Sequence, residues 1–221
     1  MPNDIIEDYL KAIYDLQRQH GKVATTALAR RLKLAPASAT GMIKKLAGMN
    51  LITYEKYQGA RLTGSGRRIA LEVIRHHRLI ELFLSEALGV PWDRVHEEAE
   101  KWEHVLSEDM EERIDKLLGF PTHDPHGAPI PDREGKMASR SDLALADLAA
   151  GDRASVSEVD DHNAEMLRYL GTMGLYPRTG FRVVEVAPFD GPITIEIQGA
   201  EFTIGRKVAG HVYVERTGGA G

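Results

Sequence analysis

The hydrophobic period of this chain changes along its length, and that change restricts the fold more than any single motif. In the first part, apolar positions recur every three to four residues, as in Ile6, Tyr9, Leu10, Ile13 and Leu16, the spacing of amphipathic helices. After the stretch ASRSDLALADLAAGDR, which reads as a tether with a short helical piece, the pattern becomes β-rich. There FRVVEVAPFDGPITIEIQGAEFTIGRKVAGHVYVE is broken by glycines and prolines at intervals that suit short strands. A chain of 221 residues with this switch accommodates a helical portion and a small barrel of the SH3-like type.

The helical portion itself divides. VATTALARRLKL and APASATGMIKKLAGMNLI read as two short helices a few residues apart, the second carrying Lys44 and Lys45. LITYEKYQGARLT then alternates around Gly59 as a hairpin, so the order helix, helix, helix, hairpin predicts a winged helix-turn-helix. Asp4 and Glu7 have the spacing of a capping box for the first helix. Three further helices are expected: one from Ser65 closed by Gly89, one from the Pro91 region through Ser107, and SEDMEERIDKLLG. Leu79, Leu82, Phe83, Leu84, Leu88 and Trp102 supply more apolar surface than one small bundle covers, which predicts a homodimer. The boundaries expected are 1–72 for the winged helix, 73–140 for the helical dimerisation domain, 141–153 for a linker and 154–221 for the barrel.

Charge follows this division. The formal total is −5, yet residues 1–72 carry 12 Lys and Arg against 6 Asp and Glu, which suits contact with a polyanion. The absence of cysteine excludes disulfides and thiolate metal sites. No apolar run approaches the ~18–20 residues of a membrane span, and MPNDIIEDYLKAIY lacks the order of a signal peptide, so the expectation is a cytoplasmic protein.

The segment HEEAEKWEH (96–104) concentrates histidine and glutamate. At roughly 100° per residue on a helix, His96, Glu100 and Glu103 fall within about 60° of one another, with His104 on the flank. On the preceding helix His77 and Glu81 are four apart and share a face. An acid held beside apolar packing needs a proton, a cation or a metal. Imidazole and carboxylate without sulfur favour Mn²⁺, Fe²⁺ or Zn²⁺. The zinc-protease pattern HExxH is absent, because Glu100 stands four residues after His96. The loop THDPHG, with His123 and His126, reads as structural, because the sequence places no carboxylate partner beside them.

With a winged helix in front and RHHRLIELFL followed by VHEEAEKWEHVLS behind, the chain resembles the diphtheria toxin repressor family of metal-activated bacterial regulators. The family motif V-H-x-E-A-x-x-W-E-H stands here as VHEEAEKWEH, and the resemblance extends over nearly the whole chain. It implies a primary metal site on Asp8, Glu100, Glu103 and His104. It also implies an ancillary site on His77, Glu81 and His96, completed by Glu158 and Asp161 from SEVDDH, and thus two sites per subunit. The iron-responsive branch has methionine and cysteine where Asp8 and Glu100 stand; two carboxylates suit the manganese-responsive branch, with Mn²⁺ expected and Fe²⁺ as the second metal. In one departure, Lys11 stands where two-domain manganese regulators usually carry another carboxylate, which argues against a closely spaced manganese pair there.

The function implied is metal-activated binding to a double-stranded, palindromic DNA operator by a homodimer, repressing metal-uptake genes. Expected DNA contacts are Thr25, Thr26, Pro36, Ala37, Ser38, Thr40, Gly41, Lys44, Lys45, Lys56, Tyr57 and Arg61. The alternatives are an iron-dependent repressor of the same family and, in another class, a Mn- or Zn-dependent metallohydrolase. An enzyme is disfavoured, since no nucleophile motif or phosphate loop accompanies the donors.

Overall fold

A computed structural model describes residues 2–55 and 58–217. Its backbone contacts separate two compact units. The first comprises residues 1–77 with two short insertions from later in the chain, Glu103–Leu106 and Pro131–Lys136. The second holds the remainder.

In the first unit, α1 (Pro2–His20) buries Ile6, Tyr9, Leu10 and Ile13, the stripe that the period required. It begins at Pro2, where a missing N–H is harmless, so Glu7 lies in the second turn and does not serve as the partner in a capping box at Asp4. Helices α2 (Thr25–Arg31) and α3 (Pro36–Gly48) follow. Ala39, Ile43 and Leu46 of α3 face inward, leaving Ser38, Gly41, Lys44 and Lys45 outward. Strands β1 (Ile52–Glu55) and β2 (Gly59–Leu62) pair antiparallel as the wing. Val23 and Ala60 exchange both backbone hydrogen bonds at 2.9 Å, tying the wing to the chain just before α2. Gly59 permits this approach: it has φ +104°, and a Cβ there would stand 2.7 Å from the Val23 carbonyl. The long α4 (Gly64–Glu86) is capped by Thr63, whose Oγ1 accepts from Gly66 N at 3.1 Å, rather than by Ser65.

In the second unit, α4 ends before Gly89, whose φ of +66° supplies the left-handed turn that stops it. Helix α5 (Val95–Trp102) is shorter than its periodicity suggested at both ends. Pro91 closes a turn ahead of it through Arg94 N to Pro91 O at 2.8 Å. Glu103 and His104 lie beyond its last turn. Ser107 caps α6 (Glu108–Leu117) by accepting from Met110 N. The barrel is a five-stranded antiparallel sheet in the order β6-β5-β4-β3-β7. Its strands are β3 (Arg153–Val159), β4 (Gly180–Val186), β5 (Ile193–Ile197), β6 (Ala200–Ile204) and β7 (Val212–Arg216). Helices α7 (Ala164–Thr172) and α8 (Arg206–Ala209) interrupt them. Alternate residues such as Ile193, Ile195 and Ile197 point into one core with Leu167 and Leu170 of α7.

The stretch expected to be a tether is partly built into that core. Leu145 and Leu148, around a short 3-10 turn, are buried with the barrel residues, because their apolar side chains find cover there. Leu79, Leu82 and Leu84 are likewise buried within the single chain. Of the six residues expected to seek a second copy, only Leu88 and Trp102 are exposed, with Phe83 half-buried.

Candidate metal centres and nucleic-acid face

In the first unit, α1 presents Asp8 to the Glu103–His104 segment. One donor atom from each of Asp8, Glu103 and His104 lies within 4.8 Å of the others. His104 Nε2 stands 3.0 Å from Asp8 Oδ1 and 3.5 Å from Glu103 Oε1, while its Nδ1 is 2.7 Å from Glu7 Oε2. Burial alone would depress this imidazole, but the Glu7 hydrogen bond and the charges of Glu103, Asp8 and Glu7 hold its pKa above the ordinary value. Asp8 is raised, chiefly by desolvation and with help from the Glu103 charge.

Glu103 is almost fully buried and answers to three neighbours. The Lys11 ammonium donates to both of its oxygens, at 2.9 and 2.7 Å, and lies 3.1 Å from His77 Nδ1, which also meets the Glu103 carboxylate. Burial would raise this carboxyl; the His77 bond and the Lys11 charge outweigh it and keep the pKa low. The Glu103 backbone carbonyl faces His76 Nδ1 at 3.1 Å, a partner outside the helical ladder where α5 stops. Glu103 thus stands beyond the last residue of α5, whereas Glu100 lies within it. Glu100 itself sits on α5 in the second unit, exposed, with Oε1 3.5 Å from His96 Nε2.

The second unit gathers a larger and more buried set around Glu81. Donor atoms of Glu81, His96 and Asp161 fall within 4.8 Å, and so do those of Glu81, Asp124 and His126. His96 Nδ1 is 3.2 Å from Glu81 and 3.5 Å from Asp161. Burial opposes its charge, yet hydrogen bonds to Asp161 and Glu81 push its pKa up to about 10. Asp161 is drawn well down, since the His96 hydrogen bond and nearby imidazoles overcome its own desolvation. His77, one turn before Glu81 on α4, has the contacts to Lys11 and Glu103 described above. Glu158 lies at the end of β3 with Oε2 2.6 Å from Arg140 Nε, and burial lifts its pKa to about 7 against that pull.

Asp124 and His126 went unrecognised in the sequence because their carboxylate partner, Glu81, is more than forty residues away on α4. The one available signal was the compact DPHG, in which an Asp can turn the backbone onto its own side chain. Asp124 Oδ1 accepts from His126 N at 2.8 Å and Ala128 N at 2.9 Å. Gly127, at φ +88°, lets this turn lie against β3, where a Cβ would be 2.1 Å from the Ser157 carbonyl. His126 Nε2 donates to the Trp92 carbonyl at 2.7 Å, which leaves Nδ1 buried without a hydrogen-bond partner and 3.9 Å from Glu81 Oε1. Asp124 Oδ2 is buried without one as well, with the Arg78 guanidinium at 3.6 Å. Desolvation, reinforced by the Glu81 charge, pushes Asp124 up to about 6. Unsatisfied lone pairs this deep are costly in a dry protein and fit a cation. Both sets contain only oxygen and nitrogen donors, which suits a divalent ion of the Mn²⁺, Fe²⁺ or Zn²⁺ type.

Among residues expected to meet DNA, Thr26, Pro36, Ala37, Ser38, Gly41, Lys44, Lys45 and Arg61 are exposed, while Thr25 and Thr40 are half-buried. Thr40 Oγ1 donates to the Pro36 carbonyl at 2.8 Å, so that hydrogen is engaged within α3. Lys56 and Tyr57 lie outside the described residues. Among the described residues no helix is long and apolar enough to cross a membrane.

Comparison with known proteins covers the chain in three stretches. Residues 3–60 match the N-terminal DNA-binding domain of iron-dependent repressors, 63–132 their metal-binding and dimerisation domain, and 143–216 the FeoA domain. The iron-dependent repressor IdeR of Mycobacterium tuberculosis is 33% identical over 226 residues, spanning 96% of this chain and 97% of that protein. The regulator MntR of Oceanobacillus iheyensis is 36% identical over 120 residues, 54% of this chain and 81% of its own. A solved manganese-dependent transcriptional repressor in complex with manganese superposes with a TM-score of 0.90 at 38% identity, covering 96% of this chain and 100% of that one.

Proposed function

The chain belongs to the diphtheria toxin repressor family, and from that premise we propose that it is a metal-activated, DNA-binding transcriptional regulator responding to Mn²⁺, with Fe²⁺ as the second metal. The observation that carries this is the convergence of sulfur-free donors in small groups: Asp8, Glu103 and His104 in one, and Glu81 with His96 and Asp161, or with Asp124 and His126, in two others. The protein is proposed to act in the cytoplasm as a repressor of metal-uptake genes. We assign the primary site to Asp8, Glu103 and His104, with Glu100 as the fourth donor the resemblance implies. The second ion is assigned to the surroundings of Glu81, with His96 and Asp161 on one side and Asp124 and His126 on the other. His77 and Glu158 are further donors implied by resemblance. A bound ion supplies charge neutralisation and a fixed coordination geometry; no bond of a substrate is made or broken.

What the chain's own residues do follows from connectivity. Asp8 belongs to the helix that starts the DNA-binding unit, and Glu103 and His104 belong to the segment linking α5 to α6. Holding these together ties the first helix of the winged helix to the short segment through which α5 runs into α6. Two such units in a homodimer then present α3 helices at a set spacing, which half-sites of a palindromic operator must match. Support for the homodimer is the exposure of Leu88, Met110, Leu117 and Phe120 within the stretch matching a dimerisation domain. Metal shifts the equilibrium only by its extra affinity for the DNA-competent arrangement.

The test is operator binding by the purified protein, followed by fluorescence anisotropy under buffered free Mn²⁺ and, separately, Fe²⁺. Affinity rising with Mn²⁺ and lost to a chelator is the expected result. Binding indifferent to the chelator would remove the switch.

A further inference from the structure

We infer that Glu7 is a positioning residue for the primary site: its carboxylate holds Nδ1 of His104 and thereby turns Nε2 toward the ion. This rests on the metal-site reading above. Consecutive residues of α1 take opposite edges of one imidazole, Glu7 at Nδ1 (2.7 Å) and Asp8 at Nε2 (3.0 Å). Only the Nε2 edge faces the Asp8–Glu103 donors, so Glu7 is on the far side of the ring from any ion they hold.

An imidazole can ligate through one nitrogen only if its remaining hydrogen sits on the other. A carboxylate accepting that hydrogen fixes the tautomer, locks the ring plane and makes the ligating nitrogen more basic. Glu7 is placed for all three, with its side chain 24% exposed and that of His104 11%. Its location in the second turn of α1 leaves it no part in capping the helix start.

The experiment titrates Mn²⁺ into the full-length metal-free protein, with free ion measured by electron paramagnetic resonance, for wild type, Glu7→Ala, Glu7→Gln and Glu103→Ala. Glu7→Ala should weaken one class of site about 10–100-fold with stoichiometry unchanged. Glu7→Gln, whose amide oxygen still accepts the hydrogen but lacks the charge, should recover part of that loss. The metal-free melting temperatures of Glu7→Ala and Glu7→Gln should stay close to wild type, which separates positioning from folding. Wild-type affinity in Glu7→Ala overturns the inference, as does loss of a full equivalent, which would make Glu7 a ligand. Should Glu103→Ala also titrate like wild type, the underlying site assignment fails instead.

Discussion

Around Asp8, Glu103 and His104 the chain supplies its own counter-groups. Lys11 sits on both Glu103 oxygens and Glu7 on the imidazole. Around Glu81, by contrast, burial is deeper and the partners run short: Asp124 Oδ2 and His126 Nδ1 are enclosed without a hydrogen bond. A set whose charges are already answered can stand closed at low metal and exchange an internal cation for an external one. One whose buried polar atoms lack hydrogen bonds gains more from an added cation. The first arrangement suits sensing, and the second suits an ion that is held tightly and supports the fold.

The largest effect should come from breaking the first set at its centre. Glu103→Ala removes the acid that faces Lys11, His77 and His104 together, and we expect metal-dependent operator binding to fall by more than about 100-fold, of the size seen when a buried charged partner is lost. The proposed dimer should persist, which size-exclusion chromatography checks. If instead Glu103→Ala responded to Mn²⁺ like wild type while Asp124→Ala did not, the roles of the two sets would have to be exchanged.

Asp124→Asn tests the other half of the comparison. The folded Asp124 holds its proton up to about pH 6, against 3.8 in the unfolded chain, so its contribution favours folding below pH 4 and is lost as the pH rises through 6. An amide keeps Oδ1 for His126 N and Ala128 N but carries no charge. The metal-free variant should therefore match wild type near pH 4 and exceed it by about 1–3 kcal/mol at pH 7. Glu158, raised from 4.5 to about 7, loses its own contribution across the same window, and His96 begins to lose its above 6.5; both are present in wild type and variant, so the difference between the two proteins is what reads Asp124. Added Mn²⁺ should stabilise wild type more than the variant. Denaturation at pH 4 and 7, with and without metal, reads all four quantities; equal stability at pH 7 would mean that the buried charge is already compensated.

Much of this was legible from residue order, for identifiable reasons. Helix period, the hairpin around Gly59 and the VHEEAEKWEH motif are local patterns, and they pointed to the winged helix and to several of the histidines and carboxylates that lie together in the structure. What stayed hidden depended on where elements stop and on partners far along the chain. Continuous periodicity could not reveal that α5 ends at Trp102, so that Glu103 stands past the helix, where it meets Lys11 and His77. Nor could a loop sequence show that Asp124 and His126 close on Glu81. Glu7 was misread for a related reason, because the capping spacing is common and the true helix start, at Pro2, moved it out of reach.

The smallest effect separates two roles for Lys11. With Nζ at 2.9 and 2.7 Å from the two Glu103 oxygens, neither oxygen is clear of the ammonium, so an ion approaching Glu103 must displace it. Lys11→Met keeps the aliphatic stem and deletes the charge. The metal-free form loses a charged hydrogen bond, worth roughly 1.5–3 kcal/mol of local stabilisation, and the equilibrium tilts toward the metal-bound form. Much of that is returned because Glu103 can take up a proton in the variant, leaving a net gain in Mn²⁺ affinity of about 3–10-fold. The same titration that follows Glu7→Ala measures it, and the Mn²⁺ concentration for half-maximal operator binding should drop in step. A weaker site in Lys11→Met would show that the ammonium supports Glu103 alongside the ion. The contrast between a self-satisfied set and a stranded one would then narrow to burial alone.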